Sequence, residues 1–172
     1  MGLCMIMRKI LFKLLLMSGL VFNQFFLSQQ IEKIEFEHFN SIIIGSEINI
    51  TFEPIRNNKK GKIKIKINKN GEKYNTRISK EKFMNISDAV HKINPSGLYT
   101  MNGKDTIAVL GNYLDSSSSS ITIYDDKQNK KSFHAENLTK KSQYNEKQKD
   151  FWFVTKLIIN TAKLRIEDLV GY

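Results

Sequence analysis

Apolar and polar side chains alternate over residues 31–39 and again over 46–53, where Ile48, Ile50 and Phe52 point one way and Asn49, Thr51 and Glu53 the other. A period of two marks a strand with one buried face. Pro54, which cannot donate to a sheet ladder, ends the second run. Lys62-Ile63-Lys64-Ile65-Lys66-Ile67 then alternates without a break, and Asn70-Gly71 follows. That dipeptide suits a two-residue turn with positive φ at both positions, so 62–69 and 72–78 are predicted to pair as a hairpin. The turn length fixes the register: Lys69 faces Glu72, Ile67 faces Tyr74, Ile65 faces Thr76, Lys64 faces Arg77 and Ile63 faces Ile78. One face of this hairpin is apolar and the other basic.

The period then changes. Phe83, Ile86, Val90 and Ile93 recur at helical spacing, with Ser79 as N-cap, Ile78 and Phe83 as a hydrophobic staple, and Asn94-Pro95 as the stop. Farther on, a short strand is predicted at 106–110. A second hairpin follows from 118–124 and 131–136, joined by the polar turn 125–129. The serine run 116–120 reads as a loop entering a strand, because Ile121 and Ile123 come at strand spacing. A last helix is predicted over 148–164, with Phe151, Val154, Ile158 and Ala162 on one face, widened by Trp152, Leu157 and Leu164. Asn145 and Gln148 are its expected capping pair. Being the more apolar helix, it is expected to lie deepest against the sheet. The expected fold class is α+β: an antiparallel sheet built from hairpins, two amphipathic helices packed on one face, and the strand-strand-helix order occurring twice.

Residues 1–28 stand apart from this pattern. They hold Arg8, Lys9 and Lys13, no acidic residue, and an apolar run over 10–27 interrupted only by Lys13, Ser18, Gly19, Asn23 and Gln24. That layout is a secretory signal peptide, with Met5 or Met7 as further candidate starts. Cleavage after Ser28 leaves Gln29 first and 29–172 as a single α+β domain, although Phe26 is bulky for such a site. The rival reading is an uncleaved membrane anchor, against which the cleanest run, 14–22, free of charged and amide side chains, is short of the roughly 20 residues a span needs. Cys4 precedes the apolar run, where a lipid-modified cysteine is not expected. The expected location is therefore exported, periplasmic or secreted.

The net charge of the whole chain is +10, and removal of Arg8, Lys9 and Lys13 leaves +7 on the domain. The domain has no cysteine, so its stability rests on packing and hydrogen bonds. The basic charge concentrates between residues 56 and 82, where Lys62, Lys64, Lys66 and Arg77 are the candidate binding residues. Lysines on a strand also serve to guard an exposed edge against aggregation, so two readings of the same residues stand side by side. The stretch has few arginine forks, and Tyr74 is placed on the apolar side away from bases, so no nucleic-acid partner is expected. An acidic protein or an anionic envelope surface fits better, with the membrane involved only if the leader is uncleaved.

No catalytic residue, metal site or cofactor is expected. His38, His91 and His134 belong to no two-histidine motif and have no carboxylate or cysteine at ligand spacing. Asp125-Asp126 and Asp115 lack the glycine and spaced oxygens of a calcium loop and read as turn residues. Ser117 and Ser119 have no glycine elbow. The triplets beginning at Asn49, Asn85 and Asn137 match the N-glycosylation pattern, which arises often by chance in an asparagine-rich chain.

The leader ending Phe25-Phe26-Leu27-Ser28-Gln29-Gln30, the Lys/Ile/Asn-rich composition and the hairpin-then-helix order resemble small exported proteins of unknown function from flavobacteria-like bacteria. Residues 118–164 resemble domains in which a hairpin is followed by an asparagine-containing turn and a long terminal helix. The resemblance implies export and no particular activity. The function expected is an exported non-enzymatic binding module, inhibitor-like, immunity-like or an envelope protein, with a basic strand face. The alternatives are a hydrolytic enzyme that gathers histidines and carboxylates by folding, and a membrane-anchored envelope protein.

Overall fold

The computed structural model describes residues 31–40, 46–55, 61–95, 98–102 and 117–170; the leader 1–28 and the strand expected at 106–110 lie outside them. The described strands are β1 (Ile31–Asn40), β2 (Glu47–Pro54), β3 (Ile63–Lys69), β4 (Glu72–Ile78), β5 (Tyr99–Asn102), β6 (Ser117–Asp125) and β7 (Lys130–Glu136). They form one open antiparallel sheet in the order β4-β3-β2-β1-β6-β7-β5. The helices are α1 (Lys80–His91), α2 (Lys149–Thr161) and the single turn α3 (Glu167–Val170), with a 3-10 helix at Lys140–Tyr144 ahead of α2. The protein is α+β, as the alternation of periods requires.

Strand alternation gives the sheet an apolar inner face. Phe36 is flanked across the ladders by Ile50 and Ile121, and Ile34 by Phe52 and Ile123. Ile67, Ile65 and Ile63 extend the same face through β3, and Phe133 and Ala135 do so through β7. Phe36, Ile50, Phe52, Ile65 and Ile121 are wholly buried. Phe83, Ile86 and Val90 from α1, and Phe151, Val154 and Ile158 from α2, belong to the same core cluster. The described residues therefore share one continuous apolar interior of the size that holds a domain together without disulfides.

The β3–β4 hairpin has the register that its turn dictates, every pair from Lys69–Glu72 to Ile63–Ile78 included. Asn70 and Gly71 carry φ of 53° and 87°, the two positive values of a type I′ turn. Ser79 caps α1, its Oγ accepting from the Lys82 amide at 3.3 Å. Ile78 and Phe83 are both buried in the core, where a staple would put them.

Two local expectations are corrected, and one strand is added: β5, at Tyr99–Asn102, is not among the strands expected and pairs with β7 at the sheet's edge. Asn145 and Gln148 do not form a capping pair. Gln148 is the N-cap of α2 without a side-chain cap bond; its amide NH2 donates to the Glu136 carbonyl and its Oε1 accepts from Ser142. The capping box falls instead on the 3-10 helix, between Thr139 and Ser142. The long helix ends at Thr161, and α3 docks separately: Leu169 is buried and Asp168 pairs with Lys69 at 3.1 Å. Burial pushes the Asp168 carboxyl up, but hydrogen bonds from Lys69 and the Arg165 amide and the attraction of both cations outweigh it and hold it below the usual range.

Candidate functional site

The outer face of the sheet is polar, and its charges group by strand. Register places Lys73, Asn75 and Arg77 of β4 beside Asn68, Lys66 and Lys64 of β3. Next come Asn49, Thr51 and Glu53 of β2, then Glu37 and Glu35 of β1. Ser120, Thr122 and Tyr124 of β6 follow, then His134, Ser132 and Lys130 of β7. Cations therefore hold the β4 edge and carboxylates the middle.

Of the candidate residues, Lys64, Lys66 and Arg77 lie on this face, as the hairpin register requires. Lys62 stands just before β3 and is exposed. Lys66 is not an unengaged cation, because its Nζ pairs with Glu53 Oε1 at 2.7 Å. Lys64 and Arg77 face each other directly, a like-charge pair that is mildly destabilising in a sheet. Lys73, not singled out in the sequence, falls on the same face opposite Asn68. The same hairpin register could have found it.

Lys64 also lines a half-open cavity of about 670 Å³, with Glu32, Lys33, Glu53, Pro54, Ile55 and Gln128. It sits where β1 begins, β2 ends and β3 begins. Beside it Lys33 makes an ion pair with Glu35 and lies 4.6 Å from the centre of the Tyr124 ring. The Tyr124 hydroxyl donates to Glu35 Oε2 at 2.7 Å. That bond, with burial and the charges of Glu35 and Glu37, pushes the phenol up to about 12. Burial raises the Glu35 carboxyl, but bonds from Lys33 and Tyr124 and the charges of Lys33 and Lys130 bring it below its usual range. At neutral pH Glu35 is a carboxylate and Tyr124 keeps its proton, so the hydroxyl and the carboxylate hold each other and the group acts as a strut.

The histidines do not converge. His38 is on the inner face, paired across the ladder with Ser119, whereas His134 is on the outer face beside Ser120. His91 is exposed at the end of α1. His38 is 2% exposed; burial, only partly offset by a hydrogen bond to the Leu169 backbone, drives it down to about 4. It is neutral, with Nδ1 2.9 Å from Ser119 Oγ. Burial also lowers His134, against the pull of Glu37, and its Nε2 has no partner among the described residues. Ser120 Oγ meets Glu37 Oε2 at 3.5 Å, so the serine donates to the carboxylate instead of handing its proton to a histidine. That is the wrong order for nucleophilic catalysis.

Asp125 is a turn residue, as its loop composition suggests. Its Oδ1 accepts from the Lys127 and Asn129 amides at 2.9 and 2.8 Å, and Oδ2 from the Asn129 side chain at 2.8 Å. The Asn129 side chain foremost holds its carboxyl below the usual range. Among the described residues no group of three histidines, cysteines or carboxylates is arranged to hold a metal ion. No described helix is long and apolar enough to cross a membrane. No family model matches the chain, and comparison with curated proteins and with solved structures returned no match.

Proposed function

We propose that the chain is an exported, non-enzymatic binding module, akin to the small exported proteins its leader and composition resemble. In this reading the two helices cover the inner face of the sheet, and the twofold strand-strand-helix order leaves the outer face of the β3–β4 hairpin open to an acidic partner. The observation that carries it is the direct apposition of Lys64 and Arg77, with Lys73 on the same face and no ion pair to any of the three among the described residues. Like charges placed side by side cost stability, and a carboxylate-bearing partner removes that cost on binding.

The test is to recover the chain from separated cell fractions, read its N-terminus, and measure its binding to poly-L-glutamate as a function of salt. A soluble chain beginning near Gln29 that binds at low salt, and loses that binding in the Lys64→Glu/Arg77→Glu variant, is the expected result. A full-length chain in the membrane fraction would instead make the leader an anchor and the basic face a contact for anionic head groups. Equal binding by the variant sinks the assignment of the face.

A further inference from the structure

The outermost strand is built to be extended. β4 sits at the edge of the sheet, and Glu72, Lys73, Tyr74, Asn75 and Arg77 are all exposed. Its backbone polarity follows from the register. The Asn70 amide donates to the Glu47 carbonyl on β2, so Lys69, Ile67, Ile65 and Ile63 turn their backbone groups toward β4, and Glu72, Tyr74, Thr76 and Ile78 answer them. The N–H and C=O groups of Lys73, Asn75 and Arg77 therefore point away from the sheet. These are the same three residues whose side chains lie on the cationic outer face.

We propose that β4 binds an extended acidic segment of another protein by strand addition, the segment running antiparallel and pairing with Lys73, Asn75 and Arg77. The inference rests on the acidic-partner reading above and gives it a mode. In such a ladder the residues opposite Lys73, Asn75 and Arg77 share their face, so carboxylates at alternate positions meet Lys73 and Arg77, with Lys64 behind. The intervening residues fall on the other side, beside Tyr74, a residue 41% exposed whose ring offers an apolar contact. Main-chain bonds give such a complex its affinity and the alternating side chains its selectivity. The edge's cations, Lys73 and Arg77, guard against a neutral or basic strand but attract an acidic one. The edge has no proline and no bulge within β4, and no charge on its inner side between Glu72 and Ile78.

A second copy of this chain is a poor occupant. Antiparallel pairing of two β4 strands about Asn75 sets Lys73 of each copy against Arg77 of the other on one face, adding like-charge pairs to those already there. The acidic segment reverses the sign of each of those contacts.

The test uses the full chain, labelled for amide hydrogen exchange, and a capped heptapeptide of alternating glutamate and valine that begins and ends with glutamate. The expected result is slowed exchange at the Lys73, Asn75 and Arg77 amides with no change at Thr51 or Lys66. N-methylation of the glutamates removes the donors facing the edge and should weaken binding about tenfold or more. The Lys73→Glu/Arg77→Glu variant should lose the glutamate peptide and gain one with lysine in its place, which keeps the test valid if affinity alone shifts. If the methylated peptide binds as well as its parent and the three amides stay unprotected, strand addition is wrong while the cationic face stands. If neither peptide binds, both fall. Protection by phosphatidylglycerol vesicles and not by peptide would assign the edge to a lipid surface and overturn the proposal.

Discussion

His38 shows how a single buried side chain sets the acid limit of the fold. It carries no charge in the native state because burial drives it from 6.5 to about 4, and Ser119 and the Leu169 backbone hold the neutral ring. An unfolded chain takes up the proton at its ordinary value, so the stability this residue confers is complete above pH 6.5. It declines as pH falls toward 4, where the native ring is finally protonated. The shift is worth on the order of 3 kcal/mol over that window, a large share of a typical domain's stability. Urea midpoints measured at pH 7 and pH 5 should therefore fall clearly for the native chain and much less for His38→Gln. A parallel decline in both would assign the acid sensitivity elsewhere. The carboxylates held low lose their contribution later, Glu35 from about 4.5 downward, at the acid end of that window, and Asp125 and Asp168 from about 3.8 downward.

Among elements, the β3–β4 hairpin joins the fold to the candidate site, and its turn is the place to perturb both. Gly71 has φ of +87° and nothing within 4 Å of where a Cβ would stand. The cost of Gly71→Ala is therefore conformational and not steric, about 1–2 kcal/mol. Gly71→Asn should recover part of it, since asparagine tolerates the left-handed region. Denaturant unfolding of the two variants checks this, and equal losses would mean that the turn relaxes to another type.

This hairpin was also the most legible part of the sequence, because an unbroken Lys-Ile alternation and a two-residue turn are both local signals. Lys64, Arg77 and even Lys73 follow from them. What local patterns do not carry is which strands meet across the chain. The central β1–β6 pairing joins strands separated by more than 75 residues, and nothing in the alternation of either names the other. The Glu53–Lys66 ion pair was hidden for the same reason, since it depends on the β2–β3 register, which no two-residue turn signal in the sequence fixes. Likewise the side chain of Gln148 could not be assigned to a cap in advance, because Ser142 and the end of β7 compete for it.

At the scale of the whole molecule, the outer face groups its charge: Lys64, Lys73 and Arg77 toward the β4 edge, Glu35, Glu37 and Glu53 on β1 and β2 with Lys33 beside them, and hydroxyls, a histidine and Lys130 on β6 and β7. If the cations merely guarded an edge, Arg77→Glu would change stability and solubility and leave binding to an acidic polymer unaltered. If they form a receiving face, stability and binding must respond in opposite directions. Arg77→Glu turns the Lys64–Arg77 repulsion into an attraction across adjacent strands, a gain of roughly 0.2–1 kcal/mol. Its melting temperature should rise slightly while its affinity for an acidic polymer falls, and the difference in affinity should shrink as salt screens both chains. A variant both more stable and equally able to bind would place the partner on another face. One less stable would show that the Lys64–Arg77 apposition is not the repulsive pair that the register implies.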